Sequence, residues 1–521
     1  MTTTRSTQSA EAGFSYLSHR QILVVLGGLM AGMFLAALDQ SILGTALPAI
    51  TSDLGGLERM SWVVTAYLLT STASTPLWGK ISDLNGRRPI FQLAIVIFVL
   101  GSVLSGLAQN IEQLIGFRAV QGLGAGGLFA LALATIGDVI PPRERGRYQG
   151  YFGAVFGTSS VLGPVLGGWL TDGPGWRWVF WINVPIGLGA LLVTSLALKL
   201  PHTRREHTID YLGAALVVAS VTSLLLYTAW AGPEAGWTSL LALGLLVAGA
   251  VLAVLFVLVE LRAVEPIIPM ELFRDRIVSL SLVFVFIIGL AMFGALVFMP
   301  LYLQIVAGMS PTRSGLAMLP MVAGLFATSI SAGQVMTRTG RYKMFPIVGA
   351  AVVLVGLLLL SDLGVDTPYW RAGLAMFVLG AGLGCTMQIL VTAVQNAVQR
   401  RHMGSATSSV TFFRSMGGAF GTALFGAILS SRLGGYLAER LPAGTGGNLP
   451  EVDTSDITAI QALPPALQDQ VVESFALSLQ DTFVTALPFV AVALVIAFFI
   501  PEKALTARES SAPEAVEAAT A

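Results

Sequence analysis

The sequence predicts an all-α polytopic membrane protein: two six-helix bundles with two further helices inserted between them. Composition, the spacing of apolar blocks and a repeated basic loop carry that prediction. Of 521 residues, 55% are hydrophobic and 11% charged, under half the ~25% charge of an ordinary soluble domain. The apolar residues come in blocks of roughly 20, long enough for a helix to cross a hydrocarbon core of ~30 Å.

Apolar segments begin near Ile22, Trp62, Ile90, Ile111, Tyr151, Phe180, Leu212, Leu240, Val278, Ser314, Phe345, Ala372, Val410 and Phe483, which predicts fourteen spans. An even number puts both termini on one side, and the loop charges choose the side. With the N-terminus inside, Lys80, Arg87, Arg88, Arg143, Arg145, Arg147, Arg338, Arg341, Lys343, Arg400 and Arg401 fall with others in inner loops. Only Arg59, Arg177, Arg313, Arg371, Arg432 and Arg440 fall outside. Cations gather on the cytoplasmic side, so both termini are expected there. The boundaries follow: a tail at 1–20, a first bundle at 21–200, a linker with spans seven and eight at 201–277, a second bundle at 278–505 and a tail at 506–521. The second bundle should carry a long outer loop at 433–481. Within it Pro465 should open a short helix, on which Leu467, Val471, Phe475 and Leu479 form one apolar stripe suited to an interfacial anchor. Residues 1–18 are polar and do not read as a cleaved signal peptide.

The repeated loop is Gly79 to Arg87 and again Gly333 to Arg341, both of the form G-x6-G-R, each between the second and third span of its bundle. Parallel repeats of this kind place a binding site between bundles near the bilayer midplane. Formal net charge is zero, so no nucleic-acid partner is expected. The single cysteine, Cys385, can form no internal disulfide. No cluster of metal ligands, no hydrolytic triad and no Walker A loop is present, so neither a metal nor an enzyme activity is expected. The Gly122-Leu123-Gly124-Ala125-Gly126 run lies within a span and follows no strand, so it is not a dinucleotide fingerprint.

Three ionisable residues lie inside predicted spans: Asp39, Arg118 and Arg414. Such residues are costly in lipid and face a cavity or a partner. Asp39 stands nine residues before Pro48, and Arg118 seven beyond Ile111. At ~1.5 Å per residue both sit ~10–14 Å below the outer surface, which makes them candidates for pairing.

Taken in order, the motifs resemble those of the fourteen-span drug:proton antiporters of the major facilitator superfamily, from Ile22 to Pro501. Leu38-Asp39-Gln40 through Ala46-Leu47-Pro48 is similar to that family's first-span motif, although Ser41, Ile42 and Gly44 depart from it. Arg118 with Gln121-Gly122 resembles its fourth-span motif. The resemblance implies that Asp39 and Arg118 couple transport to protons. Gly79, Asp83, Gly86, Arg87 and Arg88 match the signature inner loop, and Asp138 matches an acid at the inner end of span four. By resemblance these form a latch that closes the inner side; the second copy has Thr337 where the first has Asp83. Gly157, Gly163, Pro164, Gly167 and Gly168 resemble the antiporter motif of span five, associated with exporters. The string Trp176-Arg177-Trp178-Val179-Phe180-Trp181-Ile182-Asn183-Val184-Pro185 is close to the family's pattern at span six.

In the second bundle Gln304, Gln388, Gln395, Asn396 and Arg414 are candidates for a substrate cavity or for ties between helices. Phe284, Phe286, Met292, Phe293, Phe298 and Met299 could form a permissive apolar wall, with lipid-facing packing expected for most. The resemblance implies the major facilitator fold and a monomeric multidrug exporter of the bacterial plasma membrane. It would move lipophilic small molecules by alternating access, with the proton as coupling ion and no other cofactor. A lipid or lipid-precursor exporter of the same fold, and a membrane sensor that does not transport, are the alternatives.

Overall fold

A computed structural model describes residues 19–54, 60–140, 165–171, 173–197, 210–228, 236–264, 266–399, 402–440 and 464–505, together with scattered positions of 148–163. All regular structure among these residues is helical. The main helices are α1 (His19–Leu54), α2 (Met60–Asn85), α3 (Arg87–Gly106), α4 (Ile111–Val139), α5 (Asn183–Ala197), α6 (Tyr211–Leu226), α7 (Leu240–Glu260), α8 (Arg276–Leu301), α9 (Leu319–Thr339), α10 (Met344–Leu360), α11 (Tyr369–Ala397), α12 (Met403–Arg440) and α13 (Pro465–Phe499). Span five falls on the partly described 148–171 stretch, between α4 and α5.

Ten helices among the described residues are long and apolar enough to cross a membrane. Two of the remaining expected spans, α6 and α10, are apolar but only 16 and 17 residues long. Another, α2, is diluted by hydroxyl residues, among them Thr70, Ser71, Thr72, Ser74 and Thr75. Those hydroxyls are internal: Thr72, Ser74 and Thr75 are buried, and Thr70 donates to the Ala119 carbonyl of α4 at 2.8 Å.

Two separate apolar cores define the bundles. One is built from residues between Ile22 and Ala190, in an inner and an outer patch; the other runs from Leu272 to Leu505. The same packing scheme builds both. In α4, Gly122 and Gly126 press against the backbone of α2, at Tyr67 and Ser71, while Gly124 between them presses against α3 at Ala94 and Phe98. In α11, Gly380 and Gly384 press against α9, at Met321 and Leu325, while Gly382 presses against α10 at Gly349 and Val353. A glycine at alternate positions lets one helix take a close neighbour on each side. Both G-R turns place their glycine at positive φ, which a side chain would strain, but in different conformations: Gly86 has φ 92° and ψ 150° directly before α3, and Gly340 has φ 69° and ψ 9° in a left-handed cap that ends α9.

The inserted pair, α6 and α7, packs on both bundles at once. Val217, Val221, Leu225 and Phe256 form a small core with Ala73 of α2 and Phe412 of α12. The Glu260 carboxylate, buried at the end of α7, accepts the Ile267 and Ile268 amides at 3.1 and 3.3 Å and folds the following loop back onto the pair.

The expected long loop at 433–481 is helix at both ends. α12 continues to Arg440, and α13 is unbroken from Pro465 to Phe499, so the short separate helix is the first part of the last span. No glycine or proline interrupts residues 466–487, which leaves nothing to end the helix there. Arg440 pairs with Glu473 at 2.5 Å and Arg432 with Asp481 at 3.3 Å, which holds the two helices together. Val471, Phe475 and Leu479 are buried in the second core and do not form an interfacial anchor. Residues 441–463 lie outside the described residues.

Candidate functional site

The side chain of Asp39 is buried in the middle of α1, with only 1% exposed, and so is that of Arg118 on α4. Arg118 Nη1 donates to Asp39 Oδ2 at 2.6 Å. The other carboxylate oxygen, Oδ1, accepts from Gln121 Nε2 and from Asn183 Nδ2, both at 2.8 Å. Arg118 also donates to Gln121 Oε1 at 2.7 Å and to the Val63 carbonyl at 3.4 Å, and its guanidinium lies 4.2 Å from the centre of the Tyr67 ring. Helices α1, α2, α4 and α5 thus meet on one salt bridge. A buried pair is stable only with such supporting hydrogen bonds, and removing one partner typically costs ~3–5 kcal/mol.

Asn183 is the member that sequence reasoning missed. It was part of the aromatic string, which now has a physical account. Trp176 and Arg177 both donate to Asp53 at the far end of α1, at 3.0 and 2.9 Å, and hold its carboxyl below the usual range. Phe180 faces Arg118 at 5.9 Å and its carbonyl accepts from Ser102. Trp181 packs on Gly106. The string fastens α1, α3 and α4 around the charge pair, and an asparagine at the start of an apolar span was the available signal.

The repeated packing supplies a comparison within the molecule. Arg118 stands four residues before the first glycine of the α4 run. The residue four before Gly380 is Met376, fully buried in the second core. The second bundle fills the equivalent place with a thioether, so the fold itself does not need a charge there.

A second network lies at the end of the molecule carrying Lys80, Arg87, Arg341 and Lys343, here termed the basic end. Arg87 Nη2 lies 2.6 Å from Asp83 Oδ1, and Arg87 Nε lies 2.7 Å from Asp138 Oδ2. Asp83 also accepts the backbone N–H groups of Gly404 and Ser405 at 3.1 and 3.0 Å. A first-bundle carboxylate therefore caps the N-terminus of α12 in the second bundle, where unpaired amides and the helix dipole favour an anion. Two glycines make the approach possible. A Cβ on Gly79 would collide with Ser408 and with the Gly404 carbonyl, and one on Gly404 would collide with Asp83. Close by, Gln395 of α11 donates to the Leu133 carbonyl of α4 at 3.1 Å. The bonds that join the two bundles cluster at this end. Arg88 is half-buried, with no ion pair among the described residues.

Of the span-five glycines, Gly157 packs on Val322 and Phe326 of α9, and Gly163 on Ser41 of α1. Gly167 is buried, Gly168 faces open space, and Pro164 lies outside the described residues. The five second-bundle candidates do not share one cavity. Gln304 donates to Ser314 at 3.2 Å, Gln395 ties α11 to α4 and to Thr407, and Asn396 donates to the Ala504 carbonyl at the basic end. Gln388 and Arg414 remain inside the second bundle. The aromatic and methionine set does not face lipid as expected: Phe284, Phe298 and Met299 are buried, and Phe286 packs on Phe420 with ring centres 6.1 Å apart.

The sequence profile of the Major Facilitator Superfamily matches residues 29–422. The chain belongs to the Major Facilitator Superfamily. An uncharacterized MFS-type transporter of Mycobacterium tuberculosis is 41% identical over 503 residues, covering 96% of this chain and 73% of the relative. Multidrug transporter protein MdtP of Bacillus subtilis is 37% identical over 507 residues, covering 93% of each. Multidrug resistance protein 3 of the same organism is 33% identical, covering 93% and 96%. Among solved structures, the human organic anion transporter MFSD10 aligns with a TM-score of 0.61 at 14% identity, over 91% of this chain and 99% of that one. The proton:xylose symporter XylE aligns at 0.60 and 15%, over 94% and 98%. These two establish the fold. With its family and relatives, the chain is a membrane transporter rather than an enzyme.

Proposed function

We propose that this transporter is a fourteen-span, proton-coupled exporter of amphipathic small molecules in a bacterial plasma membrane, with the basic end and both termini in the cytoplasm. The observation that carries the coupling is the Asp39–Arg118 pair, sealed in the first bundle while Met376 takes the equivalent place in the second. A transporter has little reason to keep an ion pair in a dry core that a methionine would fill, unless one of its charges changes during the cycle.

Asp39 is the acid in this scheme. Gln40, next to it on α1, is exposed within the span Gln21–Gly44, and in this scheme the proton reaches Asp39 past it. A proton on Asp39 breaks the charge pairing but leaves Arg118 with Gln121, the Val63 carbonyl and Tyr67. Asp83, Arg87 and Asp138 hold the basic end shut in the outward-facing state and release it in alternating access. Each proton entering the cell yields ~1.4 kcal/mol per unit of pH gradient and ~2.3 kcal/mol per 100 mV. A tenfold cargo gradient needs only ~1.4 kcal/mol.

The two Bacillus relatives named for multidrug transport and multidrug resistance support a drug-like cargo, and a Gibberella moniliformis relative named as an efflux pump, 33% identical, supports the export direction. The test is purified protein in proteoliposomes with an imposed pH gradient, against a panel of lipophilic cations, lipophilic anions, neutral drugs and lipids. Uphill movement of at least one amphipathic cargo that stops when a protonophore collapses the gradient is expected. Cargo movement indifferent to the gradient would overturn the coupling.

A further inference from the structure

Among the described residues two buried arginines, Arg118 and Arg414, lie at membrane depth, and they are treated differently. Arg118 has a carboxylate, a carboxamide, a carbonyl and an aromatic face. Arg414, on α12 and only 9% exposed, has no ion pair, hydrogen-bond acceptor or aromatic ring on its guanidinium among the described residues. A guanidinium carries five donors and stays charged. Buried without acceptors, it is among the most costly groups a protein can hold.

A second unsatisfied group lies at the same level. Gln388 of α11 is 7% exposed, and its Oε1 is buried without a hydrogen-bond partner. The placement follows from one contact. α11 and α12 are consecutive helices running in opposite directions, and Gln395 of α11 donates to Thr407 of α12 at 3.0 Å. Seven residues back from Gln395 is Gln388; seven on from Thr407 is Arg414. Seven residues are close to two full turns, so each returns to the face on which that bond is made, ~10 Å further from the basic end. Nearby, the Arg414 backbone is held against Gly289 of α8, where a Cβ would collide with the Arg414 carbonyl. Phe286 and Phe420 pack with tilted rings a turn or two along the same α8–α12 seam. An arginine and a carboxamide thus share one depth, beside an apolar wall.

We infer that Arg414 and Gln388 form a subsite for an oxyanion, most simply the carboxylate of an amphipathic cargo. This rests on the reading of the chain as an exporter with a cavity between its bundles. The planar guanidinium matches a carboxylate through two parallel hydrogen bonds. The Gln388 amide, turned to present its NH2, adds a third donor. The apolar body of the molecule lies against Phe286 and its neighbours. Among the described residues no acid pairs with Arg414; the acid arrives with the ligand. The subsite is separate from Asp39, so a bound anion and a coupling proton need not compete for one group.

The experiment uses the full-length protein in nanodiscs, with empty nanodiscs as blank, and a matched fluorescent pair: 1-pyrenebutyrate and its methyl ester. The two differ in the charge of one group. In phosphatidylcholine discs the carboxylate is expected to bind at least tenfold tighter than the ester. Arg414→Gln should bring that ratio close to one, Arg414→Lys should leave part of it, and Gln388→Leu should lower it less. Thermal unfolding of each variant separates a lost subsite from a lost fold. Repeating the titration in phosphatidylglycerol discs identifies the source of the oxyanion: carboxylate affinity that falls there assigns the subsite to a lipid headgroup, and unchanged affinity assigns it to cargo. A wild-type ratio near one, or a ratio that survives Arg414→Gln, overturns the subsite. If the same purified protein, reconstituted in proteoliposomes, still drives ethidium uphill with a pH gradient, the exporter reading stands without it. A protein that binds neither probe and moves no ethidium overturns both.

Discussion

Replacing Asp39 by Asn removes one charge from a pair in which each side chain is 1% exposed. Loss of one partner from a buried pair costs ~3–5 kcal/mol, against a total stability of ~5–15 kcal/mol for a typical domain. The lower end applies here, because Arg118 keeps the Gln121 oxygen, the Val63 carbonyl and the Tyr67 ring. The residual penalty is a guanidinium without a counter-charge. Removing that guanidinium as well should relieve it, and the second bundle shows with what: Met376 is fully buried at the equivalent place. The double variant Asp39→Asn with Arg118→Met is therefore expected to be more stable than Asp39→Asn alone, with a coupling energy of ~2–3 kcal/mol in a double-mutant cycle. Neither variant should concentrate cargo against its gradient, since neither has an acid to carry the proton, while downhill exchange should continue. Asp39→Glu should keep partial coupling with a displaced pH optimum. Arg118→Lys, which keeps the charge but loses the fork that reaches Asp39 and Gln121 together, should be severely impaired. Thermal unfolding measures the cycle. Proteoliposome transport under an imposed pH gradient, with a dye reporting internal pH, measures the coupling. If Asp39→Asn still moves cargo uphill together with protons, Asp39 is not the coupling acid. If Arg118→Met lowers stability further instead of restoring it, the comparison with Met376 is wrong.

The basic-end network makes further predictions. Gly79→Val places side-chain atoms where Ser408 and the Gly404 carbonyl now lie; it should hold that end open, raise the reactivity of a cysteine introduced at Leu133, and reduce transport at least tenfold, whereas unchanged reactivity would show that the approach is not tight. Asp83→Asn removes the anion at the start of α12, whose charge-assisted hydrogen bonds are worth ~1.5–3 kcal/mol, and should slow interconversion ~10-fold or more; equilibrium cargo binding should be largely preserved, because the cap lies at the basic end, and loss of binding instead would contradict a latch role. Single cysteines at Arg88 and Arg341, in a Cys385→Ala background, should resist an impermeant thiol reagent in intact cells and react after permeabilisation. Labelling in intact cells would reverse the proposed orientation.

Much of the fold was legible because lipid simplifies the problem: an apolar block of sufficient length must become a helix, and loop charge predicts its direction. The failures have physical causes. The 433–481 stretch reads as a loop by hydropathy because Glu439, Arg440, Asp469, Glu473 and Asp481 dilute it. Charge density reports membrane depth and not helicity, and with no breaker between 466 and 487 the helix continues. The pairing of Asp39 with Arg118 followed from depth alone, since two ionisable groups at equal depth seldom stay apart. Asn183 and Gly404 were invisible for a different reason. Each is an ordinary residue whose role is set by what another element brings to it, an acid across 144 residues of sequence in one case and across 321 in the other. Gln395 and Asn396 are adjacent polar residues with nothing in sequence to separate them, yet helix periodicity turns one to the first bundle and the other to the chain's C-terminal segment.

The two halves pack alike and differ in where they keep charge. The glycine runs of α4 and α11 make the same contacts, and Gly86 and Gly340 both take a positive φ at the corresponding turn. Arg118 has Met376 as its counterpart, and Asp83 has Thr337, whose hydroxyl donates to the Gly333 carbonyl of its own helix at 2.8 Å. In the other direction, Arg414 stands unpaired among the described residues of the second half, while Arg118 of the first half is fully partnered. If both halves carried an Asp83-type cap, two ionic contacts would have to break together each time the basic end opened, and the closed state would be correspondingly deeper. With one cap, a change at a single carboxylate or a cargo on the second bundle can tip the balance. Restoring symmetry is therefore informative: Thr337→Asp adds an acid at the equivalent position of α9, beside Arg341. It is expected to favour the closed basic end and to lower the turnover rate severalfold with cargo affinity at the opposite face preserved. Single-turnover efflux set against equilibrium binding separates the two quantities. A Thr337→Asp protein that turns over at the normal rate would show that one cap on α12, and not its asymmetry, sets the pace of the cycle.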